Sequence, residues 1–288
     1  MTIDNNIVNN MSPDETIAYL QDIANQLRID VLDMIHTAKS GHPGGSLSAA
    51  DIIAVLYFKI LNIDPKNPKW EDRDRFIMSK GHACPIWYSA LAEKGYFPKE
   101  KLSTLRKIDS ILQGHPDMNK TPGIDMTTGS LGNGLGAGVG MALATRVLNK
   151  PYHTYVLIGC GELNEGVLWE AAMSAAKFKL GNLIAIIDYN KLQLDGSNDE
   201  IMPTEPIVDK WTAFNWHVKR INGHDINQII DSIETAKRLT DKPSVIIADT
   251  IKGKGVSFME NACDWHGKAP DDKEYAQAIK EIKEGRNY

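Results

Sequence analysis

Of the eight histidines in this chain, five stand beside a glycine, and apart from His224 they are His42 in Ser40-Gly41-His42-Pro43-Gly44-Gly45, His82 in Gly81-His82, His115 in Gln113-Gly114-His115-Pro116 and His266 in Trp265-His266-Gly267. An imidazole in such a segment has little apolar cover, so its ring nitrogens are available to a ligand. One such histidine is unremarkable and reads equally well as a turn or cap. Four of them indicate a polar pocket. His82 also lies between a short strand-like run, Arg75–Ser79, and a helical one, Ile86–Lys94. The exposed amides of a helix start attract anions, which makes His82 a phosphate contact.

A second set of chemically able residues comes from the stretch Val156–Gly196. Two apolar, β-branched runs, Tyr155–Ile158 and Leu183–Ile187, flank a helical pattern of Trp169, Ala172, Ala176 and Leu180. This is a βαβ unit, and its loops meet at the carboxyl ends of two parallel strands, where open α/β sheets hold ligands. Gly159-Cys160-Gly161-Glu162 follows the first strand and Asp188-Tyr189-Asn190 the second. Glycine lets the backbone approach a phosphate, while asparagine oxygen and backbone carbonyls suit a hard divalent ion. The plain alternative is two βα turns.

The elements that must position these loops follow an alternating α/β pattern. Ser12-Pro13-Asp14-Glu15 is a capping box opening a helix through Lys39, and Gly-Pro content stops it at Ser40–Gly45. Ser48 and Asp51 are expected to cap the next helix, whose apolar run reaches Leu61. Thr127–Ala144 carries glycine at 129, 132, 134, 136, 138 and 140, but no frame satisfies the dinucleotide pattern and no Gly-Lys-Ser/Thr phosphate loop occurs. It reads as exposed amides leading into a helix of small residues packed closely, against this chain or another subunit. Further on come strand-like Val218–Ile221, a Gly-His-Asp turn with a structural His224 before the helix Ile226–Leu239, strand Val245–Ala248, and a charged, solvated helix over Asp271–Tyr288.

Composition narrows the function classes. A formal charge of −5 gives no basic footprint for nucleic acid. No apolar run approaches the ~20 residues of a membrane span, and Thr2–Asn10 lacks a signal-peptide pattern, so a cytoplasmic protein is expected. The three cysteines, 84, 160 and 263, form no Cys-x-x-Cys. That excludes a disulfide framework and a structural zinc site. One α/β domain over residues 1–288, a parallel sheet with helices on both faces, accounts for the pattern.

Gly-Xaa-Gly after one strand, with Asn after the next and residues 160 and 190 thus 30 apart, resembles the thiamine diphosphate fingerprint. Together with Ser40–Gly44, Gly81-His82, Gly114-His115-Pro116, Thr128–Gly132, Gly253–Phe258 and Trp265-His266-Gly267, in this order, the chain resembles transketolase. Specifically, it resembles the separately encoded N-terminal subunit of a split transketolase. The resemblance implies transfer of a two-carbon ketol unit from a ketose, a sugar phosphate or similarly substituted sugar, to an aldose. It also implies a C-terminal partner subunit that supplies the pyrimidine-binding domain and its activating glutamate, in an α2β2 assembly.

Carried over by residue, the resemblance implies that His82 and the Gly161 amide contact the diphosphate, with Glu162 alongside. Gly129 and Leu131 lie against the cofactor rings. His42, His115 and His266 hold sugar hydroxyls, His266 also touching the cofactor. Asn190 and the Leu192 carbonyl are magnesium ligands, and Glu165 lies near a subunit interface. Cys160 takes the third metal position, where the family has Asp. A neutral thiol is a poor magnesium ligand, which leaves weak binding, a softer ion, or a neighbouring carboxylate such as Glu162 as outcomes. Two rival readings share some of these features: the α subunit of a 2-oxoacid dehydrogenase, which has the paired metal loops, and a scaffold subunit that has lost its metal.

Overall fold

In a computed structural model, which describes residue 8 and residues 10–285, the strand-like runs form one parallel sheet. The strands are β1 (Arg75–Met78), β2 (Thr154–Gly159), β3 (Leu183–Tyr189), β4 (His217–Asn222) and β5 (Ser244–Asp249), in the order β1-β2-β3-β5-β4. Every position of β2 and β3 is buried, which is why those runs are apolar throughout rather than alternating. Their register pairs Gly159 with Asp188, and that of β3 with β5 pairs Tyr189 with Asp249. The loops after these strands therefore emerge at one level.

Alternate residues of the strands feed two cores. Val156, Ile158, Ala185, Ile187, Val245 and Ile247 face one layer; Tyr155, Leu157, Ile184, Ile186 and Ile246 face the other. The first layer is covered by α5 (Asn133–Leu148), α6 (Gly166–Lys177) and α8 (Ile207–Ala213), through Leu135, Leu168 and Trp211. The second is covered by α1 (Pro13–Ala38), α3 (Ala50–Val55), α4 (Cys84–Lys94) and α9 (Ile226–Lys237). Short α2 (Pro43–Ser48), α7 (Asn198–Ile201) and terminal α10 (Asp272–Lys283) complete the set. Each fully buried Leu, Ile or Phe contributes about 1.5–3 kcal/mol. Helices on both faces of a parallel sheet are thus as expected, and the Ser12–Glu15 capping box forms, with Glu15 Oε2 accepting from the Ser12 amide at 2.8 Å.

Three expectations are corrected and one open alternative is decided. Pro43, Gly44 and Gly45 are helical, not a breaker loop: Pro stands at the first helical position, where its missing N–H costs nothing, and a Cβ on Gly44 would meet the Trp265 carbonyl at 2.9 Å. Ser48 and Asp51 cap nothing. Ser48 closes α2 and donates to Asp188 at 2.6 Å, while Asp51 binds Arg28 at 2.5 Å, both in the interior. The terminal helix is not simply solvated, because it buries Ala278 and Ile282, and its Tyr275 stacks on His36 of α1 at 4.2 Å. Glycine in α5 serves this chain's own sheet at two positions, since a Cβ on Gly134 would lie 2.2 Å from Ser79 Oγ and one on Gly138 2.6 Å from Val156. Of the N-terminal stretch Thr2–Asn10, all but residues 8 and 10 lie outside the described residues, as do residues 286–288 of the tail.

Candidate active site

The carboxyl ends of β1, β2, β3 and β5 open onto a cavity of about 250 Å3. Gly159, Cys160, Gly161 and Glu162 form one wall, Asn190, Leu192 and Gln193 a second, and Lys80, His82, Lys252 and His266 a third; Leu131 also lines it. Small residues make the floor. A Cβ on Gly45 would lie 3.8 Å from both His82 Nε2 and Lys80 Nζ.

Three of the four candidate pocket histidines come together. Ring centroids of His42 and His82 are 5.2 Å apart, of His42 and His266 5.3 Å, and of His82 and His266 5.1 Å. Burial holds His42 and His266 down to about 4, reinforced at His42 by Arg106 and at His266 by Lys252. Burial, then Lys80, lowers His82 well below the usual range. All three are neutral at pH 7. Lys252 Nζ donates to His266 Nδ1 at 3.1 Å, and Arg106 Nη2 to His42 Nδ1 at 3.3 Å. In both rings the proton therefore sits on Nε2, leaving an N–H donor for a hydroxyl or an anionic oxygen. His115 is exposed at the rim rather than in the cluster; its ring would lie 3.4 Å from a Cβ on Gly129.

Sequence reasoning missed the charged groups. Lys80 is 2% exposed, forms an ion pair with Asp188 and donates to the Gly45 carbonyl at 2.6 Å. Burial alone would raise the Asp188 pKa, but Lys80, Ser48 and Thr250 together hold it below the ordinary carboxylate range. Lys252, also 2% exposed, donates to the Gln193 carbonyl at 2.8 Å, and burial brings it down to about 8. The only local signal for either lysine was its place beside a glycine at a strand end. Their partners lie far away in sequence.

Glu162 is at the cavity wall, yet its carboxylate is occupied. It accepts from Ser79, from the Gly132 amide at 2.7 Å and from the Gly159 amide at 3.0 Å, tying three loops together. It is not free to fill a metal position. Cys160 Sγ accepts from the Lys191 amide at 3.1 Å and from Asn198 Nδ2 at 3.4 Å, and burial pushes the thiol up to about 12. Asn190 Oδ1 accepts from the Leu192 amide at 3.2 Å. Among the described residues no three His, Cys, Asp or Glu side chains cluster as metal ligands. Small, amide-rich walls with two ammonium groups fit a diphosphate. The neutral thiol does not fit a magnesium ligand. Glu165 is exposed at the start of α6.

Known proteins share this fold. Residues 20–285 match the family model for the transketolase, thiamine diphosphate binding domain. The 6-deoxy-6-sulfo-D-fructose transketolase subunit SqwG of Clostridium sp. (strain MSTE9) is 50% identical over 267 residues, 92% of this chain and 97% of that protein. An apulose-4-phosphate transketolase subunit of Phocaeicola vulgatus is 43% identical over 265 residues, 92% and 93% of the two chains. The transketolase structure from Campylobacter jejuni superimposes with a TM-score of 0.88 at 36% identity, over 93% of this chain and 43% of that one.

Proposed function

The chain belongs to the transketolase family as a thiamine diphosphate-binding N-terminal subunit of the split type, and on that premise we propose how its residues divide the work. The Gly161 amide, His82 and Lys252 would hold the cofactor's diphosphate, at the carboxyl end of the sheet. The bound cofactor supplies the carbanion chemistry that moves a two-carbon ketol unit from a ketose to an aldose. His42 and His266 donate Nε2–H to substrate oxygens, and His115 closes the rim beside Gly129. Gly129 and Leu131 border the cofactor rings. Glu162 holds the Ser79, Gly132 and Gly159 loops in register and does not itself reach the cofactor.

One observation carries this reading: two neutral histidines, His82 and His266, and two ammonium groups, Lys80 and Lys252, line one glycine-rich cavity, with His42 packed against both rings. The histidine cluster suits a substrate with several hydroxyls better than the 2-oxoacid of a dehydrogenase. Relatives are named for a sulfonated and a phosphorylated sugar, so the substrate proposed is a ketose bearing an anionic group. A C-terminal subunit completes the site, in an α2β2 assembly. The purified chain alone then gives no ketol transfer, and turnover without a partner would refute that assembly. Among the described residues no helix could cross a membrane, and the three cysteines are free, which supports a cytoplasmic setting.

The metal is where the residues depart from the family. Asn190 and the Leu192 carbonyl offer neutral oxygens, Cys160 a neutral sulfur, and the nearby carboxylates are already engaged. No step is assigned to a magnesium ion here. The division of roles is tested by three variants in the assembled enzyme. His42→Ala should lower turnover about 100-fold or more with little loss of cofactor affinity, and His82→Ala should chiefly weaken cofactor binding. His266→Ala should do both, because it also releases Lys252. Unchanged turnover in all three would show that these loops are only turns.

A further inference from the structure

Behind the loop that carries Lys252, on the side away from the cavity, runs a buried chain of polar contacts. Arg28 Nη2 lies 2.5 Å from Asp51 Oδ2, and His224 Nδ1 lies 2.7 Å from the same oxygen. The Ile251 amide donates to His224 Nε2 at 2.8 Å. Since Nε2 accepts, the ring proton is on Nδ1 and is donated to Asp51. Arg28 and Asp51 are 5% and 6% exposed. Burial would raise the Asp51 pKa, but Arg28 and His224 outweigh it and hold the carboxyl at about 2, so it accepts as an anion. The imidazole is not the cap of the helix it precedes: Asp225 caps α9, accepting from the Gln228 amide at 3.0 Å.

We propose that Asp51 and His224 are positioning residues for Lys252, acting through the Ile251 peptide; the proposal rests on reading the cavity as the diphosphate site. Ile251 immediately precedes Lys252. The loop is also held at Thr250, whose amide donates to the Tyr189 carbonyl at 3.2 Å, at the Ile251 and Lys252 carbonyls, which accept from the Lys254 amide at 3.2 Å and the Asn261 amide at 2.9 Å, and at Gly253, whose amide donates to the Gly44 carbonyl at 3.0 Å. His224 is the acceptor that fixes the 250–251 peptide at the entrance to that turn, and so the direction from which the chain enters Lys252. Without that acceptor a half-buried N–H has no partner, which favours rotation of the peptide toward another one. Lys252 Nζ is then displaced from the Gln193 carbonyl and His266 Nδ1. The carboxylate sets the tautomer: one oxygen accepts from both Arg28 and Nδ1–H, and a side chain without an acceptor at position 51 would free the ring proton to move to Nε2, opposed to the Ile251 N–H.

A double-mutant cycle tests this in the assembled enzyme, with thiamine diphosphate affinity read by calorimetry and folding by thermal melting. His224→Leu and Asp51→Leu should each weaken binding about tenfold, the scale of one misplaced charge-assisted contact. His224→Gln, whose side-chain oxygen can still accept from Ile251, should lose less than about threefold. In a Lys252→Met background, His224→Leu should have no further effect. Equal losses from His224→Leu in both backgrounds would overturn the relay and leave the cavity reading intact. Wild-type affinity in Lys252→Met would overturn the cavity reading, and the relay with it.

Discussion

Replacing Cys160 with Asp restores a carboxylate where this chain carries a buried thiol, and the effect depends on whether magnesium is present. Both donors to Sγ, the Lys191 amide and Asn198 Nδ2, would serve a carboxylate equally well, so the substitution keeps its local hydrogen bonds. What it adds is one negative charge at a wall shared with the proposed diphosphate site. With magnesium bound, that charge becomes a charge-assisted ligand worth roughly 1 kcal/mol or more, a fivefold to tenfold gain in cofactor affinity. Without magnesium the same charge faces an anionic diphosphate and should weaken binding by a comparable factor. Calorimetric titration of thiamine diphosphate at several magnesium concentrations, with the partner subunit present, should therefore give a shallow magnesium dependence for the wild type and a steep one for Cys160→Asp. The two affinity curves should cross. Identical magnesium dependence in both proteins would mean that residue 160 does not reach the ion and that the pairing of the two loops is misread.

Lys252 and the glycine-rich helix give two further tests. Because Lys252 is held down to about 8, it loses its positive charge as pH rises through that value; cofactor affinity should fall between pH 7 and 9 in the wild type and stay flat in Lys252→Met, and parallel curves would exclude Lys252 as the diphosphate cation. Gly134→Ala drives a Cβ to 2.2 Å from Ser79 Oγ and 2.9 Å from its Cα, so it should destabilise the fold by about 1–3 kcal/mol in denaturant unfolding. Gly136→Ala, with nothing within 4 Å, should be neutral or stabilise α5 by about 0.5–1 kcal/mol in the isolated chain, and equal destabilisation by both would refute the packing argument.

Local order was the legible part. β2, α6 and β3 declare themselves through continuous apolar runs around a helical repeat, and the pairing of the two strands then sets Gly159 beside Asp188. His42, His82 and His266 were legible from the glycines beside them and they do meet, but burial and not exposure sets their charge state. The helix Pro43–Ser48 was not legible, because glycine content disfavours it locally. The close approach of Trp265, 221 positions beyond Gly44 (265 − 44), is what requires glycine there. Lysine carries the opposite bias, since it reads as surface unless its buried partner is known. Asp188 follows Lys80 by 108 positions, and His266 lies on a separate turn from Lys252.

That hidden ion pair decides the charge of the site. Asp188 is spent on Lys80, Ser48, Thr250 and Asn190, and Glu162 on Ser79 and two backbone amides. Neither carboxylate is left to neutralise Lys252, whose cavity-side partners, the Gln193 carbonyl and His266 Nδ1, are both uncharged. A buried ammonium with only neutral partners is costly and becomes favourable when an anion arrives. Thus the internal engagement of Asp188 and Glu162, more than any single histidine, makes this cavity an anion site, and it does so without a metal ligand from Cys160.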